Sequence, residues 1–150
     1  LGYPSTEEER AFMRRFRQSD PLSELAPVIS GEALLELGRT CRRVFIHEAI
    51  ESYIISLVHS TRENDSLALG ASPRGSLALM RTCQALAALH GRNYVQPEDV
   101  QALAKPVLAH RLLPSTRTRL RGRAVREIIE ETVARVPVPV EEDWTAEAVG

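Results

Sequence analysis

The sequence predicts an all-α protein, a compact bundle of about six helices with at most short extended pieces between them. Apolar residues recur at the three- and four-residue spacing that places them on one face of a helix. Cap residues precede these segments, and prolines or glycines follow them. Aromatic residues make up only 5% of the chain, too few for a typical β-sandwich, whereas hydrophobic residues make up 43%, enough for a core.

The first two helices are marked by their cap residues. Ser5 followed by Glu8 forms a capping box, and the pair Asp20-Pro21 ends the helix that this box begins. Ser30 is a favourable cap for the second helix, whose apolar residues share one face. These apolar residues are Leu34, Leu37 and Cys41.

The third and fourth helices carry most of the predicted core. The third runs from about residue 47 to residue 61, with apolar residues at helical spacing. These are Ile50, Tyr53, Ile54, Leu57 and Val58. The fourth is expected over about residues 73–90, because Ser72-Pro73 combines a cap residue with proline at the first helical position, and Gly91 follows. Only Arg74 and Arg81 carry charge within it, which predicts a central, buried helix.

The fifth and sixth helices complete the predicted bundle. The fifth begins at Pro97 and is expected to break at Pro106, because the ring of an internal proline clashes with an earlier carbonyl. The sixth runs over about residues 123–136, and the prolines that follow end it. We therefore expect one domain over residues 1–137 and an acidic, mobile tail over residues 138–150.

Charge is distributed unevenly along the chain. The net charge is −1, but residues 66–126 contain ten basic and two acidic residues, and the last part of the chain is acidic. Two cysteines, Cys41 and Cys83, cannot form a disulfide scaffold and are typical of a reducing, cytoplasmic environment. No apolar stretch approaches the ~18 residues that a membrane span requires, and we expect no signal peptide.

Arg74 is the strongest candidate for a binding residue. It is predicted at the second position of the fourth helix, where a cation is disfavoured by the helix dipole. An anion bound there would satisfy both the free amide groups and the guanidinium, and Gly70 and Gly75 would let a ligand approach the backbone. From the residues alone, an ion pair between Arg74 and a carboxylate of its own domain remains the alternative.

Two further patterns suggest other classes of site. An arginine cluster is formed by Arg111, Arg117, Arg119, Arg121, Arg123 and Arg126. It could bind nucleic acid or an acidic protein in a stand-alone helical binding module, but no aromatic residue interleaves it, and a solvated loop is the alternative. His47 and Glu51 resemble part of a zinc-protease motif that lacks its second histidine, so we expect His47 to be a helix cap and expect no metal site.

A complete catalytic site is not expected within these residues. A P-loop needs the pattern G-x-x-x-x-G-K-[ST], whereas the only lysine, Lys105, is followed by proline. If Arg74 contacts a nucleotide, the rest of the nucleotide site must therefore be supplied from outside this sequence.

Four segments, over residues 1–9, 70–81, 91–100 and 107–112, resemble the MoxR family of AAA+ ATPases in order and spacing. The segment over residues 70–81 reads GASPRGSLALMR and is similar to the sensor 2 motif of that family. The resemblance covers about residues 1–137 and implies the helical lid domain that packs against the nucleotide. Arg74 would then be the catalytic sensor 2 arginine that reaches towards the γ-phosphate of ATP.

The resemblance also implies further site residues and partners. Gly70, Ala71, Ser72 and Leu77 would bind the cofactor near its adenine, and residues 1–4 would form the hinge from the core domain. The P-loop and the residues that hold Mg would lie in an AAA+ core domain preceding Leu1. Members of the family form homo-hexamers with chaperone-like activity and act beside proteins with von Willebrand factor A domains. A membrane is not an expected partner, because no apolar stretch is long enough to span one, and nucleic acid is not, because no aromatic residue interleaves the arginine cluster. The sequence departs from the family pattern at three positions, because His47 and Asn93 stand where aspartate is expected and Lys105 replaces a frequent proline.

Overall fold

The computed structural model describes residues 2–18 and 20–140, and its fold is helical, as predicted. Within these residues there are seven α-helices rather than about six, and one short sheet of two antiparallel strands. The helices are α1 (Thr6–Gln18), α2 (Gly31–Cys41), α3 (Glu48–Arg62), α4 (Pro73–Leu89), α5 (Pro97–Leu108), α6 (Thr116–Leu120) and α7 (Val125–Arg135). The strands are β1 (Leu67–Leu69) and β2 (Leu113–Pro114). The chain divides into two compact units, residues 1–35 and residues 36–150.

The unit before residue 36 contains α1 with the predicted capping box at its start. The Glu8 carboxylate accepts a hydrogen bond from the Ser5 amide at 2.7 Å, and the Ser5 hydroxyl accepts one from the Glu8 amide at 3.3 Å. The bond from the Ser5 amide lowers the pKa of Glu8. Three large apolar side chains of α1, Phe12, Met13 and Phe16, are exposed. Leu1, part of the predicted hinge, lies outside the described residues.

The unit from residue 36 has its core between α3, α4, α5 and α7. Its largest fully buried side chains include Ile50, Leu57, Leu79, Leu108, Ile128 and Ile129. A buried amide joins distant segments, because the Gln84 side chain donates to the carbonyls of Arg42 at 3.2 Å and Val44 at 2.8 Å. A parallel bridge between Phe45 and Tyr94 joins the same segment to the chain between α4 and α5. The segment before α3 is thereby fixed to the central helix.

An ion pair with a buried carboxylate holds the start of α5. The Asp99 carboxylate, only 5% exposed, accepts hydrogen bonds from Arg92 at 2.6 and 2.8 Å and from the Gln96 amide at 2.9 Å. Hydrogen bonding to Asp99 raises the pKa of Arg92. Nearby, the Cys83 thiol is fully buried; desolvation, with a smaller contribution from the charge of Asp99, raises its pKa to about 12.

The predicted break at Pro106 is wrong, because α5 continues to Leu108. Proline removes the hydrogen bond that residue 106 would donate to the carbonyl of Ala102. Both residues are exposed, so water can satisfy that carbonyl, while the burial of Val107 and Leu108 holds the helix in place. A short 3-10 turn, Ala109–Arg111, follows directly.

The arginine-rich stretch after this turn is ordered rather than a plain loop. It contains β2, which pairs with β1, and then α6, whose cap residue Ser115 accepts a hydrogen bond from the Thr118 amide. The predicted sixth helix corresponds to α7. The acidic tail was predicted from residue 138, and its residues 141–150 lie outside the described part of the chain. Over residues 2–18 and 20–140, no helix is long and apolar enough to cross a membrane.

Candidate functional site

The start of α4 lacks the cap that its sequence predicts. Ser72 occupies the cap position and Pro73 follows it as expected, but the Ser72 hydroxyl accepts no capping hydrogen bond from the described residues. The Gly75 amide bonds instead to the Ser72 carbonyl at 2.7 Å. The first turn also contains no acidic residue. The positive end of the helix dipole is therefore left open to an anion.

Arg74 extends from this uncapped turn into solvent. Its side chain is exposed, and it forms no ion pair or hydrogen bond with any other residue in the described ranges. The ion pairs seen there involve other arginines and the lysine. They are Arg39–Glu36, Arg92–Asp99, Lys105–Glu130 and Arg123–Glu131. The alternative in which Arg74 pairs with a carboxylate of its own domain thus finds no support among the residues that are placed.

A groove of about 450 Å³ lies beside the start of α4. It is lined by Gly70, Ala71 and Ser72, three of the predicted cofactor-binding residues. Arg62, from the end of α3, and Arg111, from the turn after α5, line it as well. The groove therefore carries two cations, and no carboxylate is among the residues that line it.

The two groove arginines are held by their Nε atoms. Arg62 Nε donates to the Ala71 carbonyl at 2.8 Å, and Arg111 Nε donates to the Val107 carbonyl at 3.0 Å. The sequence predicts Arg111 only as a member of the arginine cluster and does not distinguish Arg62 from the other arginines. No local signal identifies either, because only the folded chain brings these distant residues to the start of α4.

Gly70 and Gly75 are predicted to let a ligand approach the backbone, but packing within the protein already requires the small size of Gly70 and leaves little room at Gly75. A Cβ atom on Gly70 would lie 2.6 Å from Arg62 Cα, and one on Gly75 would lie 3.2 Å from Ala71 Cβ. Their contact with a ligand stays a prediction.

Leu77 lies in a different groove from Gly70, Ala71 and Ser72. It is 49% exposed, and it lines an apolar groove between α3 and α4 with residues that include Ile54, Ile55 and Met80. Leu77 follows Arg74 by three positions and so shares its helix face. The predicted site residues thus lie on two sides of the first turns of α4.

The arginine cluster is distributed over several environments. Arg111 lines the groove at α4, whereas Arg117, Arg121 and Arg123 line a small pocket with Ser66. Arg123 pairs with Glu131 and also donates to the Ser66 hydroxyl at 3.4 Å. No feature of this pocket favours the stand-alone binding module over the alternatives.

His47 is a helix cap, as predicted, because its Nδ1 atom accepts a hydrogen bond from the Ala49 amide at 3.1 Å. Within the placed residues, no group of three histidine, cysteine, aspartate or glutamate side chains is arranged to hold a metal ion.

Comparison with known proteins identifies the family. Residues 59–132 match the model of the AAA lid domain family. The chain is 40% identical over 141 residues to YeaC of Bacillus subtilis, a match that covers 94% of this chain and 44% of YeaC. It is 36% identical over 122 residues to the chaperone MoxR1 of Mycobacterium tuberculosis, with 75% of this chain and 32% of MoxR1 covered.

A solved structure agrees with these matches. It belongs to a protein of Cytophaga hutchinsonii proposed to be an ATPase, and it is 30% identical with a TM-score of 0.77, covering 93% of this chain and 45% of that one. The chain spans less than half the length of each of these three relatives. The chain therefore carries an AAA lid domain and is related to proteins named MoxR.

Proposed function

We propose that this chain is the nucleotide-sensing lid of a MoxR-type AAA+ ATPase, with Arg74 as the sensor 2 arginine that contacts the γ-phosphate of ATP. One observation carries the proposal: Arg74 lies at an uncapped helix N-terminus and has no carboxylate partner among the described residues. A phosphate group placed there would bond to the free amides and to the guanidinium together. The comparisons support an AAA lid, which is the domain that such an arginine belongs to.

The residues around the start of α4 suit phosphate oxygens rather than a metal ion. Arg62 and Arg111 add two positive charges beside Ala71 and Ser72, in a groove lined by no carboxylate. Mg²⁺ prefers carboxylate and water oxygens, so we assign its ligands to the core domain of the same protein. The bound ATP supplies the phosphoryl group, and Arg74 neutralises and orients it.

We assign the adenine side of the nucleotide to Gly70, Ala71, Ser72 and Leu77. The first three residues line the groove at α4, and the half-exposed Leu77 offers an apolar surface that a base can contact. Because these residues lie in two grooves, the nucleotide would extend around the first turns of α4.

Nucleotide binding would couple the lid to the rest of the assembly. A lid that holds ATP through Arg74 would change its angle to the core domain when the γ-phosphate is released. The exposed apolar side chains of α1, Phe12, Met13 and Phe16, suit packing against that core domain. We propose that this motion drives chaperone-like remodelling or maturation of partner proteins by a cytoplasmic homo-hexamer, with von Willebrand factor A domain proteins among the partners. The name of MoxR1 as a chaperone supports this assignment.

The test replaces Arg74 by alanine in the full-length protein. We expect Arg74→Ala to lower ATP turnover at least about tenfold, because the variant loses a charge contact made to the transferred phosphoryl group. The matched control is Arg81→Ala, which removes another exposed arginine two turns further along α4 and should leave turnover unchanged. Circular dichroism should show the same helical content in both variants. Equal turnover in Arg74→Ala and the wild-type protein would remove the sensor role.

A further inference from the structure

The turn that carries Arg74 is fastened to the last turn of α3. The chain leaves α3 at Arg62, passes through β1 and returns to contact the same helix end immediately before α4 begins. A Cβ atom on Gly70 would lie 2.6 Å from Arg62 Cα and 2.7 Å from the Thr61 carbonyl carbon. Only glycine lets the two backbones approach this closely without a shift.

Two consecutive residues of α3 then hold both backbone groups of Ala71. The Ala71 amide donates to the Thr61 hydroxyl at 2.9 Å, and the Ala71 carbonyl accepts from Arg62 Nε at 2.8 Å. The Thr61 hydroxyl itself donates to the Val58 carbonyl at 2.6 Å. Thr61 and Ala71 are each 1% exposed, so water cannot replace the bond between them.

The connection from this contact to Arg74 is short and stiff. Ser72 and Pro73 alone separate Ala71 from Arg74, and the proline ring fixes the backbone angle φ of its residue. The Gly75 amide bonds to the Ser72 carbonyl at 2.7 Å, so the first turn of α4 closes directly on the cap residue. A shift at Ala71 would therefore move Arg74 with it.

We infer that Thr61 and Arg62 are positioning residues for Arg74, through which the end of α3 sets the placement of the guanidinium at the nucleotide phosphate. The inference rests on the proposed function of Arg74. Thr61 is suited to the task because a hydroxyl both accepts from Ala71 and donates to Val58, which no apolar side chain of the same shape can do.

The test measures ATP hydrolysis by the full-length protein. We expect Thr61→Val to lower kcat about fivefold or more with little change in KM, because a misplaced Arg74 contributes less to the transition state. Thr61→Ser keeps the hydroxyl and should restore kcat to within about twofold. The control Thr132→Val removes another buried threonine hydroxyl, bonded to the Ile128 carbonyl in α7, and should leave kcat unchanged.

A second variant and a double variant separate positioning from general damage. Arg62→Met removes the hydrogen bond that Arg62 donates to the Ala71 carbonyl. Because the Arg62 side chain is exposed, this variant should fold, and it provides the test if Thr61→Val does not fold. In an Arg74→Ala background, neither substitution should lower kcat further, because residues that act through Arg74 have nothing left to position. A direct contact between Arg62 and the nucleotide would still lower kcat in that background.

The outcomes distinguish the two proposals. An unchanged kcat in Arg74→Ala overturns the sensor role and the positioning role together. If Arg74→Ala lowers kcat, the sensor role stands. The positioning role alone is then overturned if Thr61→Val and Arg62→Met leave kcat unchanged, or if their effects multiply with that of Arg74→Ala. Restoration by Thr61→Ser together with no further loss in the double variants supports the inference.

Discussion

Replacing Gly70 by alanine tests the close approach between the turn before α4 and the end of α3. The added Cβ atom would lie 2.6 Å from Arg62 Cα and 2.7 Å from Arg62 N. Both are backbone atoms, which cannot rotate away as the end of a flexible side chain can. Gly70 does not have a positive φ, so the penalty is steric rather than conformational.

The magnitude follows from two opposing terms. Forcing an extra methyl group into a packed site costs about 1–3 kcal/mol, and three backbone contacts place Gly70 at the upper end of that range. Restricting the unfolded chain returns about 0.4–1 kcal/mol. We therefore expect Gly70→Ala to lower the free energy of unfolding by about 2 kcal/mol, measured by urea titration with circular dichroism at 222 nm.

Two other glycines provide matched controls. Gly38 lies inside α2, and a Cβ atom added there would meet no described atom within 4 Å, so Gly38→Ala should raise the free energy of unfolding by about 0.5–1 kcal/mol. Gly91 also has open space but a φ of +71°, so Gly91→Ala should cost about 1–2 kcal/mol through backbone strain alone. If Gly70→Ala were as stable as Gly38→Ala, the close approach would not exist in solution, and the positioning argument would lose its first step.

Three further results are expected from the core. Asp99→Ala should lower the free energy of unfolding by about 3 kcal/mol, the lower end of the range for breaking a buried ion pair, because the Arg92 side chain left without its partner is 20% exposed. Glu36→Ala breaks an exposed pair and should lower it by under about 1 kcal/mol. Similar losses in the two urea titrations would contradict this difference in burial. A maleimide should label Cys41 in the native protein and spare the buried Cys83. Because burial raises the pKa of Cys83 from 9.0 to about 12, its neutral thiol contributes stability that is complete below pH 9.0 and lost as pH rises towards about 12. The urea midpoint should therefore fall more between pH 8 and pH 10.5 in the wild-type protein than in Cys83→Ala.

Local interactions explain what the sequence predicts well. The capping box of Ser5 and Glu8 and the cap at His47 each join residues no more than three positions apart, so their chemistry is visible in the sequence. The third helix, expected over about residues 47–61, is observed as Glu48–Arg62 because both its cap and its apolar face agree. The all-α fold class is confirmed for the same reason, since the caps and the apolar spacing that predict its helices are local features of the sequence.

Long-range contacts explain what the sequence does not show. Arg62 and Arg111 meet at one groove because α3 and α5 both end beside the start of α4, which no local pattern encodes. The pairing of β1 with β2 joins residues more than forty positions apart in the same way. Pro106 is the reverse case, since a strong local signal for a break is overridden by the burial of Val107 and Leu108.

The start of α4 shows how a site can be recognised where local rules for stability are not followed. The other helices of eight or more residues in the described chain, α1, α2, α3, α5 and α7, have acidic residues in their first turn. The first turn of α4 has Arg74 instead of an acidic residue. The hydroxyl of its cap residue, Ser72, accepts no capping hydrogen bond from the described residues. A cation in that position costs about 0.3–1 kcal/mol unless an anion joins it. The same residues that weaken the isolated helix would strengthen its hold on a phosphate, and this is why we assign Arg74 to nucleotide sensing rather than to the stability of the fold.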